Sequence, residues 1–202
     1  NPSPTGNVIF MNSMRRADTS SNNQFFKESK ENVTSKSDSE PNKIWLNLTS
    51  DNGVFSQILV GYLNGASNAK DGMYYDVPRF LSKTGSSAIL FSNIEEEPTK
   101  YYAIQGKNSK SLNRNESISL GFTSTIKTES EYSIKIDRFE GEFFANNTIY
   151  LRDNLLETYH ELSASNYTFS SEAGEYKNRF EIVFKDSRLP INNLNSSELV
   201  IF

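Results

Sequence analysis

The chain lacks cysteine altogether and has one histidine among its 202 residues. The absence of cysteine excludes disulfides, thiolate metal ligands and cysteine nucleophiles. A single imidazole also excludes metal sites that need several histidines. Several enzyme classes are therefore ruled out before any motif is considered.

The sequence also lacks an excess of positive charge and any long apolar run. Lys and Arg number 21 against 25 Asp and Glu, which gives a formal net charge of −4. Because there is no basic block to contact phosphates, nucleic acid is not expected as a partner. No run of about 18 apolar residues is present, so insertion of a helix into a membrane is not expected.

The sequence does contain apolar alternation with a period of two, which is typical of half-buried strands. The clearest case is Tyr132, Ile134 and Ile136, which are separated by polar residues. The predicted fold is all-β, an antiparallel β-sandwich or jelly roll of about ten short strands. The predicted strands span residues 7–11, 44–48, 54–62, 86–91, 100–106, 118–122, 132–136, 147–151, 166–170, 180–184 and 198–202.

The apolar faces of the clearest strands predict the core, since one face of a sandwich sheet packs inward. The residues expected to be buried are Trp45, Leu46, Ile58, Val60, Tyr132, Ile134, Ile136, Leu151, Phe169, Phe180, Ile182 and Phe184.

Residues 153–162 are compatible with two local structures. Leu155, Leu156 and Tyr159 follow helical spacing, and Asp153 would be a suitable N-cap. A hairpin that turns at Asp153-Asn154 fits equally well, because strong strand patterns lie on both sides. The flanking strands favour the hairpin.

The chain is expected to divide into three parts. Residues 27–43 contain Val33 as their only aliphatic side chain, which predicts a flexible linker or loop. Residues 1–26 are expected to form an N-terminal strand and tail, which packs on the main body or closes a preceding domain. Residues 44–202 form the β-sandwich module. The chain starts without Met and ends on the apolar run 199–202, so both ends are expected to be edges of a fragment.

Ten segments of the sequence share a pattern with one type of bacterial module. They are Gly6–Arg15, Lys43–Thr49, Gly53–Tyr62, Gly65–Asn68, Tyr102–Gly106, Leu120–Phe122, Ile134–Asp137, Ile149–Asp153, Tyr167–Phe169 and Arg179-Phe180. These segments resemble a β-rich module of surface and secreted proteins of Bacteroidetes, especially flavobacteria. In those proteins the module lies just upstream of a C-terminal sorting domain that the type IX secretion system reads. The resemblance implies an extracellular or outer-membrane location and a sorting domain outside this fragment.

Two candidates for catalysis are weak. His160 could be the base of a Ser-His-Asp triad, but no Gly-x-Ser-x-Gly motif marks a nucleophile, and a structural role is favoured. Glu140 and Glu142 flank Gly141 and would share one face of a strand, as the carboxyl pair of a glycosidase does. A solvated turn is the favoured interpretation of these residues, so no catalytic residue is predicted.

Two candidates for ligand binding remain. Asp51 precedes Asn52-Gly53 and Asp71 precedes Gly72, with Asp76 nearby, so these three residues offer loop oxygen ligands for calcium, but Asx turns without a metal are the favoured interpretation. Tyr74, Tyr75, Tyr101 and Tyr102 form two pairs that place a ring on each face of their segments, so some rings could stack on sugars. Packing of both pairs into the ends of the sandwich is the favoured role for these rings.

These features predict a non-catalytic module of an exported bacterial cell-surface protein, which acts as a spacer or attachment domain ahead of a sorting signal. The alternatives are a carbohydrate-binding β-sandwich and a glycan-active hydrolase that uses the Glu pair. No cofactor is expected, apart from calcium as an option. The expected partners are a glycan or another surface protein, and the secretion machinery through the sorting domain.

Overall fold

A computed structural model describes residues 40–80 and 87–186, of which 56% lie in strands and 8% in helices. The segment 1–26, residues 27–39 of the predicted linker, and the predicted strands at 7–11 and 198–202 lie outside the described residues. The strands are β1 (Asn42–Thr49), β2 (Phe55–Leu63), β3 (Val77–Pro78), β4 (Ala88–Ser92), β5 (Tyr102–Asn108), β6 (Ser117–Ser124), β7 (Ser130–Glu140), β8 (Asn147–Asp153), β9 (Thr158–Glu161), β10 (Tyr167–Ser171) and β11 (Gly174–Asp186).

Helical structure in the described ranges is limited to short segments. These are one α-helical turn, α1 (Glu142–Asn146), and the 3₁₀ turns Gly72–Tyr74 and Ser109–Ser111. No helix within residues 40–80 and 87–186 has the length and apolar character needed to span a membrane.

The strands form one sheet in the order β10-β7-β1-β2-β5-β4-β6-β11-β8-β9, and β3 adds to β5. The all-β prediction is confirmed. One pair departs from the antiparallel expectation, because β2 and β5 run parallel, with Leu59 opposite Ile104. The long connection between them, which contains β3 and β4, provides the crossover that a parallel pair requires.

Aromatic contacts indicate that the sheet folds over on itself. The ring of Phe122 on β6 lies 4.9 Å from that of Tyr132 on β7 and 5.2 Å from that of Phe169 on β10. The ring of Phe169 is also 4.9 Å from that of Phe180 on β11. Since β7 and β10 are far from β6 and β11 in the strand order, the two halves of the sheet must face each other across the core.

Most of the predicted core is buried, with Trp45 and Ile136 as the exceptions. Trp45 alternates with the buried Ile44 and Leu46, so it lies on the outer face, where the guanidinium of Arg138 is 4.1 Å from its ring centre. Ile136 is half-buried against the core because β7 carries a bulge after it, and Asp137 has no partner in the register with β1.

Residues 153–162 form a hairpin and not a helix, as the flanking strands predicted. Strands β8 and β9 pair through Asp153 opposite Thr158 and Tyr150 opposite Glu161. Asp153 does cap a turn, because its Oδ1 accepts hydrogen bonds from the backbone N–H groups of Leu155 at 2.9 Å and Leu156 at 3.3 Å. Asp153 therefore caps a turn where the helical pattern begins, but the chain then reverses and pairs as β9 with β8.

Strand β1 begins at Asn42, so Asn42 and Lys43 belong to the sheet and not to the predicted linker. Their polar character does not prevent strand formation, because outer-face positions tolerate charge. Lys43 lies opposite Glu140 of β7, and its Nζ is 3.0 Å from the Glu140 carboxylate.

Candidate functional site

Two of the three predicted calcium ligands serve to hold the loop between β2 and β3. Asp71 accepts hydrogen bonds from the backbone N–H and the hydroxyl of Ser67. Asp76, which is 2% exposed, accepts one from the Asp71 N–H at 2.7 Å and one from the Gly106 N–H at 3.1 Å. Burial raises the pKa of Asp76, and the two N–H donors counteract that effect.

The hydrogen bond from Gly106 also covers a free strand edge. Beyond Ile104, where the pairing with β3 ends, the N–H groups of Gly106 and Asn108 are accepted by Asp76 and by Asn68 Oδ1, the latter at 3.0 Å. These groups would otherwise be open to another strand. The acidic loop therefore caps the edge of β5.

Asp51 does not join these two aspartates. It lies in the turn between β1 and β2, whereas Asp71 and Asp76 follow the other end of β2. Among the described residues, no group of three or more His, Asp or Glu side chains is arranged to hold a metal ion. The three aspartates are therefore not one calcium site in this structure.

The predicted tyrosine platform is not assembled. Tyr74 is 91% exposed on the 3₁₀ turn, next to Met73, which is 81% exposed. Tyr102 is 2% exposed, and its hydroxyl donates to Glu97, so it belongs to the interior. The ring of Tyr101 lies 4.3 Å from that of Phe91. Tyr75 packs against Gly106, where an added Cβ would lie 2.7 Å from the Tyr75 Cβ.

Glu97, in the turn between β4 and β5, connects that turn to two other segments. Its carboxylate accepts hydrogen bonds from Lys100 at 2.8 Å, from the Tyr102 hydroxyl, and from Lys70 at 3.0 Å. These donors lower the pKa of Glu97 to about 2. The acidic run 95–97 therefore contains one residue with a structural role, in addition to the exposed Glu95 and Glu96.

His160 contacts Ser165, but the rest of a triad does not form around it. Its Nε2 lies 3.0 Å from the backbone oxygen of Ser165 and 3.1 Å from its hydroxyl. Within the described ranges, no carboxylate bonds to the other ring nitrogen, which a catalytic base requires for its orientation. The ring packs 5.5 Å from that of Tyr167, so the histidine joins β9 to β10.

Glu140 and Glu142 are not neighbours on one strand face. Glu140 ends β7 and pairs with Lys43, whereas Glu142 is the first residue of α1. Gly141 between them has a φ of 92°, which reverses the chain direction. The favoured turn interpretation agrees with this geometry, and the strand-face pair of a hydrolase does not.

The outer face around Trp45 carries a polar cluster that the sequence did not reveal. Asn47 Nδ2 donates to Asp137 Oδ1 at 3.0 Å, and Gln57 Nε2 donates to Asn47 Oδ1 at 2.8 Å and to Asp137 Oδ2 at 3.3 Å. Asp137 is the bulged residue of β7, and Arg138 next to it stacks on Trp45. The position of the bulge depends on pairing with β1, which no local pattern encodes.

A groove of about 520 Å³ lies beside this cluster, between residues 136–139 of β7 and the loop 162–166 that joins β9 to β10. Its volume is in the range of ligand pockets. Arg138 contributes a side chain that is 58% exposed, and Phe139 is 43% exposed. The groove therefore combines the cation of Arg138, the carboxylate of Asp137, a ring and the polar residues of the loop.

Comparison with known proteins assigns the chain to a family. It belongs to the DUF8693 family, described as a domain of unknown function, whose model matches residues 1–184. No curated protein matches the chain, and no solved structure does. The function must therefore be argued from the geometry of the sheet and its loops.

Proposed function

We propose that the chain is a non-catalytic module of an exported bacterial surface protein and acts as a spacer or attachment domain. The observation that supports this most directly is the use of its acidic side chains. Asp71, Asp76 and Glu140 are engaged by backbone N–H groups or by a lysine, and they hold loops and strand edges. Carboxylates used in this way stabilise a scaffold.

The proposed location rests on the resemblance of segments such as Lys43–Thr49 and Gly53–Tyr62 to the module upstream of type IX sorting domains. A sorting domain after this module would pass the protein to the secretion machinery, and the mature protein would lie on the outer surface. Protease treatment of intact cells, followed by mass spectrometry of the released peptides, tests the location. Peptides of this chain that appear only after lysis would refute it.

The non-catalytic part of the proposal has its own test. The protein is expected to release no reducing ends from a panel of soluble polysaccharides. Hydrolysis that co-purifies with the chain would contradict the non-catalytic proposal, and Glu140→Gln and Glu142→Gln test whether these two residues perform it. Hydrolysis that either substitution abolishes would establish an enzyme and overturn the proposal.

A second candidate function is carbohydrate binding, which the outer face around Trp45 favours. A tryptophan ring beside amide and carboxylate groups can stack on a sugar and bind its hydroxyls. Tyr74, on the 3₁₀ turn between β2 and β3, provides a separate exposed ring. Isothermal titration with soluble polysaccharides should then produce heat that Trp45→Ala or Tyr74→Ala removes, with the melting temperature of the Tyr74 variant unchanged. Binding that survives both replacements would exclude these rings as the platform.

A further inference from the structure

One of the two edges of strand β7 is only partly paired. On one side it pairs with β1 as far as Glu140. On the other side the pairing with β10 runs from Ser130 to Ile134 and ends there. Residues 136–140 therefore have a backbone edge with no strand partner among the residues that the structure describes.

This stretch of β7 differs from the open stretch of β5. Where β5 loses its pairing with β3, side chains of Asp76 and Asn68 accept the open N–H groups. Within residues 40–80 and 87–186, no side chain bonds to the backbone of residues 136–140 in the same way. The open stretch of β5 is covered by side chains, whereas in the part of the chain that the structure describes the stretch 136–140 of β7 is not.

The groove of about 520 Å³ runs along this available edge. Its far wall is the loop 162–166, which leads into β10. A strand placed in the groove would continue the ladder that β10 begins on β7. Continuity with an existing ladder is what strand addition uses in peptide recognition.

Arg138 gives the groove a charge preference. Its guanidinium is held over the Trp45 ring at 4.1 Å, and the nearest carboxylate oxygen in the described residues, Asp137 Oδ2, is 3.7 Å away. The Asp137 carboxylate is already occupied by the amides of Asn47 and Gln57. The guanidinium therefore keeps donors for an incoming carboxylate, in an orientation fixed by stacking.

The geometry points to the edge of β7 between Ile136 and Glu140 as an acceptor site for an extended peptide segment of a partner protein, with an acidic side chain of the peptide paired to Arg138. Main-chain hydrogen bonds to β7 supply the affinity, and Arg138 and Phe139 supply the selectivity. This inference rests on the proposed attachment function and names the class of partner. The open backbone edge favours a peptide over a sugar, which has no row of amides to pair.

Random heptapeptides displayed on phage and selected on the immobilised full chain provide the probe. Selected peptides should be rich in strand-forming residues and contain an acidic side chain. By titration they should bind Ala164→Trp and Arg138→Glu at least about tenfold more weakly than the unchanged protein. Ala164 is an exposed residue of the groove wall, so a tryptophan there blocks the groove without changing any residue of β7.

Two controls separate strand addition from other modes of binding. Ser170→Trp, at an exposed position of β10 outside the groove, should bind the peptides as the unchanged protein does. Peptides with N-methyl groups at alternate positions on the pairing edge should lose binding, because they cannot donate to β7. Hydrogen exchange of the amides of residues 136–140 should slow when the unmodified peptide is present. Melting temperatures of the variants verify that each one folds.

The inference is wrong if selection enriches no peptide, or if binding is unaffected by N-methylation or by Ala164→Trp. It is also wrong if oligosaccharides bind in a manner sensitive to Ala164→Trp while peptides do not, since the groove would then be a glycan site. A chain located inside the cell that still binds peptides at β7 would overturn the proposed function alone.

Discussion

At the scale of single residues, the strongest constraint is the buried ion pair between Asp153 and Arg179. Asp153 is fully buried, and Arg179 is 5% exposed. Asp153 Oδ2 accepts hydrogen bonds from Arg179 Nε and Nη2, both at 3.2 Å, and from the Tyr167 hydroxyl at 2.9 Å. The Arg179 guanidinium also lies 4.5 Å from the ring of Phe169. This pair joins β8, β10 and β11 at one point inside the molecule.

Asp153→Asn is expected to lower the free energy of unfolding by about 3 to 5 kcal/mol, because it leaves the Arg179 charge buried without a counter-ion. Urea unfolding followed by tryptophan fluorescence measures this loss. Glu181→Gln is the matched control, since it removes a half-exposed pair with Arg152 and should cost about 1 kcal/mol or less. Equal losses of unfolding free energy in the two variants would mean that the buried Asp153 pair contributes no more to stability than the half-exposed Glu181 pair.

The hydrogen bonds to Glu97 are expected to affect how the stability of the protein depends on pH. Its pKa is lowered from 4.5 to about 2 by Lys100, Tyr102 and Lys70. A depressed carboxyl pKa contributes stability above the unfolded value, and this contribution is lost as the pH falls from 4.5 towards 2. Glu97→Gln should therefore flatten the fall of melting temperature within that window and leave the profile above it parallel. If the melting temperature of Glu97→Gln falls as steeply over this acidic range as that of the unchanged protein, the lowered pKa of Glu97 is contradicted.

At the scale of the elements, alternation located most strands but not their partners. The patterns at 132–136 and 180–184 predicted parts of β7 and β11, because an apolar face must be buried wherever the strand pairs. The parallel pair of β2 and β5 could not be inferred, since alternation carries no direction. The two-residue strand β3 is too short to produce a pattern.

The candidate sites were harder to predict than the strands, because the role of a site residue depends on which distant segments pair with its own. Tyr101 and Tyr102 have similar sequence surroundings, yet Tyr102 enters the interior and its hydroxyl meets Glu97. Asp76 looked like a loop ligand, whereas its role depends on Gly106, which is thirty residues away. A side chain whose function is to complete a distant strand edge leaves no local signal.

Gly141 connects β7 to α1 in a backbone conformation that favours glycine. Its φ is 92°, and an added Cβ would lie 2.3 Å from Asn42 Oδ1 and 2.7 Å from Asn42 Cα. Gly141→Ala should therefore cost about 1 to 3 kcal/mol from the backbone alone, plus the displacement of Asn42. Gly53→Ala is the control, because φ there is 82° with no atom within 4 Å of the added Cβ. Chemical denaturation should rank Gly141→Ala as the more destabilised, and the reverse order would contradict the geometry.

At the scale of the whole molecule, one sheet becomes two layers because aromatic side chains bridge its distant ends. Strand β10, which carries Phe169, lies at one end of the strand order. The ring of Phe169 contacts the rings of Phe122 and Phe180 on the opposite half of the sheet. The main-chain ladders alone would permit an open, twisted sheet. Burial of these rings is what favours the folded-over form.

Phe180→Ala should accordingly destabilise the protein more than the loss of an exposed ring. Phe180 is fully buried, so its truncation removes contacts to both layers and is expected to cost about 3 to 5 kcal/mol. Phe55, which is 66% exposed on β2, provides the control, and Phe55→Ala should cost less than about 1 kcal/mol. Equilibrium denaturation measures both losses. A loss below about 1 kcal/mol for Phe180→Ala would mean that the two halves of the sheet do not depend on this cluster to stay closed.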